Sequence, residues 1–222
     1  TTHQAHAKAV IGADGERSFV AKAVNAQAEL EEPVNRAMYY AYYKDLAWQS
    51  GPAAEFHFHG DNLVYAFPSD NNLTLIAASM PIGDFKEFKR DLEENFNKKL
   101  AFMPDLNTRI KQAQREGPIR GSGSIPGYMR IPYGPGWALV GDAAMAMDPW
   151  SGQGIDQAST HAILLAGNLN EYLAGEKDWE SAMQAYHNER NEYSKKTYLR
   201  TCKNSRDLRP MVNISLQKRG LI

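Results

Sequence analysis

A single cysteine, Cys202, stands among 222 residues. That excludes a disulfide framework and any cysteine-based metal cluster within one chain. Long apolar runs are missing as well, and none approaches the roughly 20 residues of a membrane-spanning helix. Excess charge of either sign is absent. The formal net charge is -1, so no global basic field invites nucleic acid or an anionic membrane. Thr1 to Lys8 is polar and has no signal-peptide pattern. These absences together point to a cytoplasmic, reducing setting. The chain does not open on Met, and strand-forming sequence begins almost at once at Lys8 to Gly12. We therefore expect a processed chain or a piece of a longer one. What is present is ordinary for a soluble protein with a real core, 43% hydrophobic and 23% charged residues.

The local patterns predict an α/β chain, an α+β mixture. A short apolar strand at Ala9 to Gly12 ends in Ala13-Asp14-Gly15, and Glu16 to Ala23 can form a helical turn or two. Asn35 to Lys44 reads as an aromatic strand. Ala54 to His59, Asn62 to Phe67 and Leu73 to Met80 follow it as an antiparallel meander joined at turn-forming residues. Asp84 to Phe102 has helical apolar spacing, with Pro104 ending it and Asp105 positioned to cap a second helix through Arg115. Ile119 to Arg130 is an extended segment broken by Gly, Ser and Pro. Trp137 to Val140 reads as a buried strand and Gln153 to Leu173 as a long helix closed by Gly175. Asp178 caps a further helix reaching about Asn204, with Trp179, Met183 and Tyr186 as a packing stripe. The expected division is residues 1–34 and 117–204 as one domain, 35–116 as a sheet with a helix pair, and 205–222 as a basic tail.

The stretch with the most chemistry runs from Trp137 to Ile155. An apolar strand enters Gly141-Asp142, and a turn through Pro149 and Gly152-Gln153-Gly154 opens a helix at Ile155. A carboxylate at a strand end accepts hydrogen bonds from sugar-like hydroxyls, or it caps the turn that follows. Two glycines allow a ligand close to the backbone. The helix start offers unpaired N–H groups and the positive end of its dipole. Asp14-Gly15 also follows a strand. It reads either as a tight turn or as a polar contact to a dinucleotide.

Val10 to Val20 resembles the Asp-Gly motif of the FAD-dependent aromatic hydroxylases, the para-hydroxybenzoate hydroxylase-like flavoprotein monooxygenases. Gly141 to Ala144, continuing through Pro149 to Gly154, resembles their Gly-Asp motif. Pro132 to Ala143 is similar to a pattern carried by a subset of these flavoproteins, and the resemblance extends from about Ala7 to about Arg190. It implies FAD as cofactor and NAD(P)H as reductant. It also implies a partial FAD-binding domain interrupted by an antiparallel sheet that covers the substrate, with long C-terminal helices. By this resemblance Asp142, next to Gly141, binds the ribityl chain and Pro149 lies near the reactive ring edge. The backbone of Gly152, Gln153, Gly154 and Ile155 lines the pyrimidine side, and Asp14 with Gly15 organises the diphosphate side.

The sequence departs from the family pattern in three places. It lacks the Gly-x-Gly-x-x-Gly unit that holds the ADP half of FAD. Gly121 to Gly127 has the wrong spacing and carries Pro126. Met145 stands where many relatives have His, and Lys22 is the nearest cation where the Asp-Gly motif often ends in Arg. A missing N-terminal dinucleotide-binding segment is therefore an expected partner.

In the meander, His57 and His59 share a strand face with Glu55. The face reads as exposed polar surface or as a substrate contact, and it is one ligand short for a metal. Tyr42 is a further substrate candidate among the four aromatic-strand tyrosines. The function expected is hydroxylation of an aromatic or electron-rich small molecule by an NAD(P)H-using flavin monooxygenase. Two alternatives stay open: a flavin-dependent reductase or dehydrogenase of an apolar substrate, and a non-catalytic fragment that needs its N-terminal partner to bind FAD.

Overall fold

A computed structural model describes residues 3–49 and 51–218. In chain order the elements begin with β1 (Val10–Gly12), α1 (Phe19–Ala23), β2 (Ala28–Glu32), β3 (Arg36–Lys44), β4 (Glu55–His59), β5 (Asn62–Pro68) and β6 (Leu73–Pro81). Three helices follow, α2 (Phe85–Arg90), α3 (Leu92–Ala101) and α4 (Pro104–Gln112). Then come β7 (Gln114–Ser122), β8 (Gly127–Arg130), β9 (Tyr133–Gly134), β10 (Trp137–Leu139) and β11 (Met145–Ala146). The chain ends in α5 (Gly154–Leu173), α6 (Trp179–Ser205) and α7 (Arg209–Lys218). The described chain forms two units. Unit 1 holds residues up to 33 and 126–202, and unit 2 holds 34–125 and 203 onward.

Unit 1 is organised by a parallel pair. Val10, Ile11 and Gly12 of β1 lie beside Trp137, Ala138 and Leu139 of β10, and β9 adds antiparallel to β10. Parallel neighbours need a long crossover, and here it is supplied by everything between the two strands. A second small sheet, in the order β11-β8-β2, lies in the same unit. β2 was not foreseen because Ala28-Glu29-Leu30-Glu31-Glu32 reads as helix-forming by composition. Its pairing to β8 overrides that preference. α6 closes the unit. Met183 and Tyr186 are fully buried with Trp179 packed beside them, and the Tyr186 hydroxyl donates to the Leu139 carbonyl at 2.9 Å. Asp178 caps this helix by accepting from the Ser181 N–H at 2.8 Å.

Unit 2 is a five-stranded antiparallel sheet in the order β4-β5-β6-β3-β7. Strand alternation divides its two faces. Ala37, Tyr39, Ala41 and Tyr43 of β3 join Val64, Ala66, Ile76, Ala78 and Met80 on one side. Phe88, Phe96, Leu100, Leu106 and Ile110 of the helices complete that core. Burying each large side chain contributes about 1.5–3 kcal/mol. Arg36 is buried at the start of β3 and answered on every side. It donates to the Ser79 hydroxyl at 2.9 Å, to the Asp61 carboxylate at 2.8 Å and to the Asp61 carbonyl at 2.6 Å. The same Asp61 oxygen accepts from the Leu208 N–H at 2.8 Å, which pins the segment leading into α7.

Four expectations need correction. The helix expected over Asp84 to Phe102 is two helices, because Asp91 leaves helical geometry (φ -135, ψ 79) and its side chain caps α3 at the Glu94 N–H. Asp105 does not cap α4. Pro104 takes the first helical position instead, where its missing N–H costs nothing, and the helix ends at Gln112. The segment 117–125 belongs to unit 2 rather than to the cofactor domain, since Ser122, Gly121 and Arg120 pair with Met38, Tyr39 and Tyr40. The basic, weakly patterned tail expected over 205–222 carries a helix in its described part. Leu208 is fully buried and α7 follows it within unit 2, while the last four residues lie outside the described set.

One buried polar contact has a pH signature. His161 of α5 is inaccessible to solvent and lies 2.6 Å from the Ser194 hydroxyl of α6. Burial first, and the Arg190 guanidinium second, lower its pKa from the ordinary 6.5 to about 4. Above 6.5 the ring is neutral in both folded and unfolded chains. Between 6.5 and about 4 the unfolded chain binds a proton that the folded chain refuses, so stability falls as pH falls. Denaturant melts should lose roughly 3 kcal/mol over that window from this group. His161→Gln should flatten that part of the curve.

Candidate functional site

The site lies in unit 1, where the ends of β1 and β10 come together. Both strands deliver a loop at the same edge because their pairing is parallel. A cavity of about 420 Å³ opens there, lined by Ala13, Gly15, Val140, Gly141, Asp142, Gly154, Ile155, Ala158 and Ala162. The Asp-Gly loop, the Gly-Asp turn and the start of α5 thus share one cradle.

Gly141 starts a short 3₁₀ turn (Gly141–Ala143) with φ +61, a region that L side chains avoid. A Cβ at this position would also come within 3.4 Å of the Ala158 Cβ. The turn sets Asp142 on the cradle wall. The Asp142 carboxylate makes no hydrogen bond among the described residues, and it does not cap the turn. Burial first, and then the Glu16 carboxylate, raise its pKa. An accessible carboxylate with no internal partner suits a ligand rich in hydroxyl donors. The capping alternative is removed by this geometry.

Asp14 behaves differently. Its carboxylate accepts from the Phe19 N–H at 2.7 Å and from the Val20 N–H at 3.1 Å. The Ser18 side chain first, and the Val20 N–H next, lower its pKa. Asp14 therefore shapes the loop, and Gly15 (φ +77) is the member of the pair that faces the cavity.

Beyond Asp142 the chain builds an anchored turn. Pro149 opens a 3₁₀ turn (Pro149–Ser151) capped by the Asp148 carboxylate, which accepts from the Trp150 N–H at 2.9 Å. The Trp150 indole N–H donates to the Thr201 carbonyl of α6 at 3.0 Å. Gly152 leaves this turn in left-handed geometry, and Gln153 occupies the cap position of α5. Gly154 and Ile155 line the cavity, whereas Pro149, Gly152 and Gln153 belong to the turn that leads into α5. Ala158 and Ala162 also line the cavity. They went unremarked in the sequence, although with Gly154 they form an i, i+4, i+8 row of small residues on one helix face.

The cradle fits a flavin. It is small-walled, one helix N-terminus opens onto it, and its free carboxylate stands on the wall. Ile155 leaves 86% of its surface exposed there and adds an apolar side chain to the wall. Gly154 supports the same reading, since a Cβ at that position would meet nothing within 4 Å.

The substrate candidates of unit 2 fall on opposite faces of the sheet. Glu55, His57 and His59 oppose Ala66, Val64 and Asn62, which puts them on the helix side. Glu55 is held by Arg109 of α4 at 3.0 Å and by His57 at 2.9 Å. Burial would raise the Glu55 pKa, but the Arg109 and His57 contacts bring it below the ordinary value. His59 stacks on Phe102, with ring centroids 4.5 Å apart. His59 is exposed, and half-buried His57 lines a cavity with Glu55, Phe102 and Arg109, so this face is polar and partly open beside the helices. Tyr42 points the other way. It meets Tyr40 edge-on at 5.9 Å on the face that carries Phe56, Tyr65 and Phe67. No cluster of metal-ligating side chains occurs among the described residues.

Residues 130–201 match the family model described as "FAD binding domain". The chain is 21% identical over 192 residues to a 1H-pyrrole-2-carbonyl-[peptidyl-carrier protein] brominase of Pseudoalteromonas luteoviolacea (strain 2ta16), covering 83% of this chain and 47% of the relative. Among solved structures it superposes on the myxobacterial chondrochloren halogenase CndH with a TM-score of 0.77 at 21% identity, covering 87% of this chain and 46% of that one. It superposes on PqsL, a probable FAD-dependent monooxygenase from Pseudomonas aeruginosa, with a TM-score of 0.65 at 18% identity, covering 90% of this chain and 56% of that one. The chain has the fold of the FAD-dependent halogenases and monooxygenases. It spans about half the length of the relatives it matches. The resemblance drawn from the Gly-Asp motif agrees with the family model over 130–201, and the similar proteins include a brominase as well as a probable monooxygenase.

Two substitutions separate a ligand site from a structural one. Asp142→Ala should weaken FAD binding by about 1–3 kcal/mol, the scale of a hydrogen bond to a charged group, with the melting midpoint unchanged. Gly154→Ala should leave the fold equally stable or slightly firmer while it lowers FAD affinity. Flavin fluorescence titration and thermal melts of the same samples read both effects.

Proposed function

We propose that this chain is the flavin-holding part of an FAD-dependent oxidoreductase that oxidises an aromatic or other electron-rich small molecule. The observation that carries the reading is the cradle itself, with the free Asp142 carboxylate, the backbone of Gly154 and Ile155, and the α5 N-terminus converging on one cavity. Asp142 would accept hydrogen bonds from the ribityl hydroxyls. The α5 N-terminus would stabilise negative charge on the ring edge beside it. Val140, Ile155, Ala158 and Ala162 would exclude water. When bound, FAD supplies electron transfer and the activation of dioxygen. Asp14 would hold the Gly15 loop in shape rather than touch the diphosphate. The aromatic face of the unit 2 sheet, with Tyr40, Tyr42, Phe56 and Phe67, suits a flat aromatic substrate.

Our first reading is a monooxygenase that draws its electrons from NAD(P)H and works in the cytoplasm. A second reading, halogenation, is favoured by the names of the brominase and CndH among the relatives. An N-terminal dinucleotide-binding unit is part of either proposal. β1 is the edge strand of its sheet. Val10 at 51% and Phe19 at 78% exposure lie on β1 and at the start of α1. This edge can accept a further parallel strand. No helix among the described residues is long and apolar enough to cross a membrane.

Product mass decides the chemistry. The protein, joined to its N-terminal unit, would be supplied with reduced FAD and a panel of phenols, indoles and pyrroles, with and without bromide or chloride. A product heavier by one oxygen, indifferent to halide, is the expected outcome. A halogenated product formed only with halide replaces the first reading by the second. Bound FAD with neither product returns the reductase or dehydrogenase alternative.

A further inference from the structure

We infer that Tyr128 and Arg130 of β8 are positioning residues that lock the two loops of the cradle to each other and so set where Asp142 stands. The inference rests on the flavin reading for its purpose, but its geometry is independent of any ligand. The Tyr128 hydroxyl lies 2.7 Å from the Asp142 carbonyl and 3.0 Å from the Glu16 carbonyl. A hydroxyl has one hydrogen to donate. Two carbonyls converging on it therefore share a three-centre bond. One of them comes from the Gly-Asp turn and the other from the Asp-Gly loop, so a single side chain ties the two motifs together.

Arg130 lies two residues along the strand and so projects from the same face. Its guanidinium carbon sits 3.8 Å from the Tyr128 ring centroid, and its Nη1 donates to the Ala143 carbonyl at 2.6 Å. A planar cation on an aromatic face is attractive. The stack fixes the ring while the second bond holds the next carbonyl of the turn. The Arg130 N–H also donates to the Ala144 carbonyl at 2.9 Å. The Arg130 carbonyl in turn accepts from the fully buried Arg190 of α6 at 2.9 Å. Consecutive carbonyls of the turn, from Asp142 to Ala144, are thus all held by β8. Burial raises the Tyr128 pKa, which keeps its hydroxyl a donor across the working range.

The test is Tyr128→Phe, which keeps the ring and its stack and removes only the hydroxyl. Amide hydrogen exchange is read first in the FAD-free protein, using the Ser18 N–H (bonded to the Gly15 carbonyl) and the Ala144 N–H (bonded to the Gly141 carbonyl) as reporters. Both should exchange about fivefold faster, the equivalent of one neutral hydrogen bond. The Ala182 N–H, at the start of α6, should not change. Unchanged exchange at either loop, or an equal increase at all three amides, overturns the inference. FAD titration follows. Tyr128→Phe should raise the dissociation constant about fivefold. Added to Asp142→Ala it should cost less than the product of the two single losses, because the position of the turn no longer matters once the carboxylate is gone. A fully multiplicative loss refutes positioning through Asp142. Wild-type protein that takes up no FAD sinks the flavin reading, and the exchange data still judge the lock.

Discussion

Backbone pairing of Val10, Ile11 and Gly12 with Trp137, Ala138 and Leu139 places the Asp14-Gly15 loop beside the Gly141-Asp142 turn. Everything at the site depends on that parallel register. Two strands running the same way end at the same edge, so loops far apart in sequence emerge side by side. The left-handed Gly141 then turns the chain toward α5, whose small-residue face can approach because no Cβ intervenes. A shift of one residue would move every β1 side chain to the other face of the sheet and part the two loops.

The residues around the cradle divide their labour. Asp14 engages one carboxylate oxygen with the N–H groups of α1, and Asp148 engages one with the Pro149 turn. Asp142 alone of the three has no internal hydrogen bond among the described residues. The carboxylates have the same chemistry and follow similar strand-to-turn passages. They differ because two of them meet unpaired helix-start N–H groups and one does not. The protein spends polar groups on shaping the cavity and leaves one on its wall.

Much of this was readable beforehand. The strands β3 to β6, the β4 to β6 meander among them, α5 with Gly175 after it, and α6 with its Asp178 cap follow from alternation, spacing and capping residues, which are local properties. So were the two motif loops. What escaped was set by distant partners. β2 is acidic and helix-like until β8 pairs with it. Ile119 to Arg130 read as an extended segment broken by Gly, Ser and Pro, and the strand β7, which starts earlier at Gln114, takes its bounds from lying against β3. His57 and His59 could be placed on one face, but which face was decided by α3 and α4 lying on that side, with Arg109 reaching Glu55 and Phe102 stacking on His59. Tyr128 carried no motif, and its hydroxyl matters only because two carbonyls converge on it.

The sequence by itself determined the kinds of residue at the strand ends and the helix start that follows them. Those features rest on the local chemistry of turns, caps and unpaired N–H groups. Tertiary structure decided which carboxylate has no internal hydrogen bond, which face of the sheet gathers Tyr40, Tyr42, Tyr65 and Phe67, and which side chains fasten the two loops. Each of those outcomes depends on a partner brought close through space, and no spacing along the chain encodes that distance.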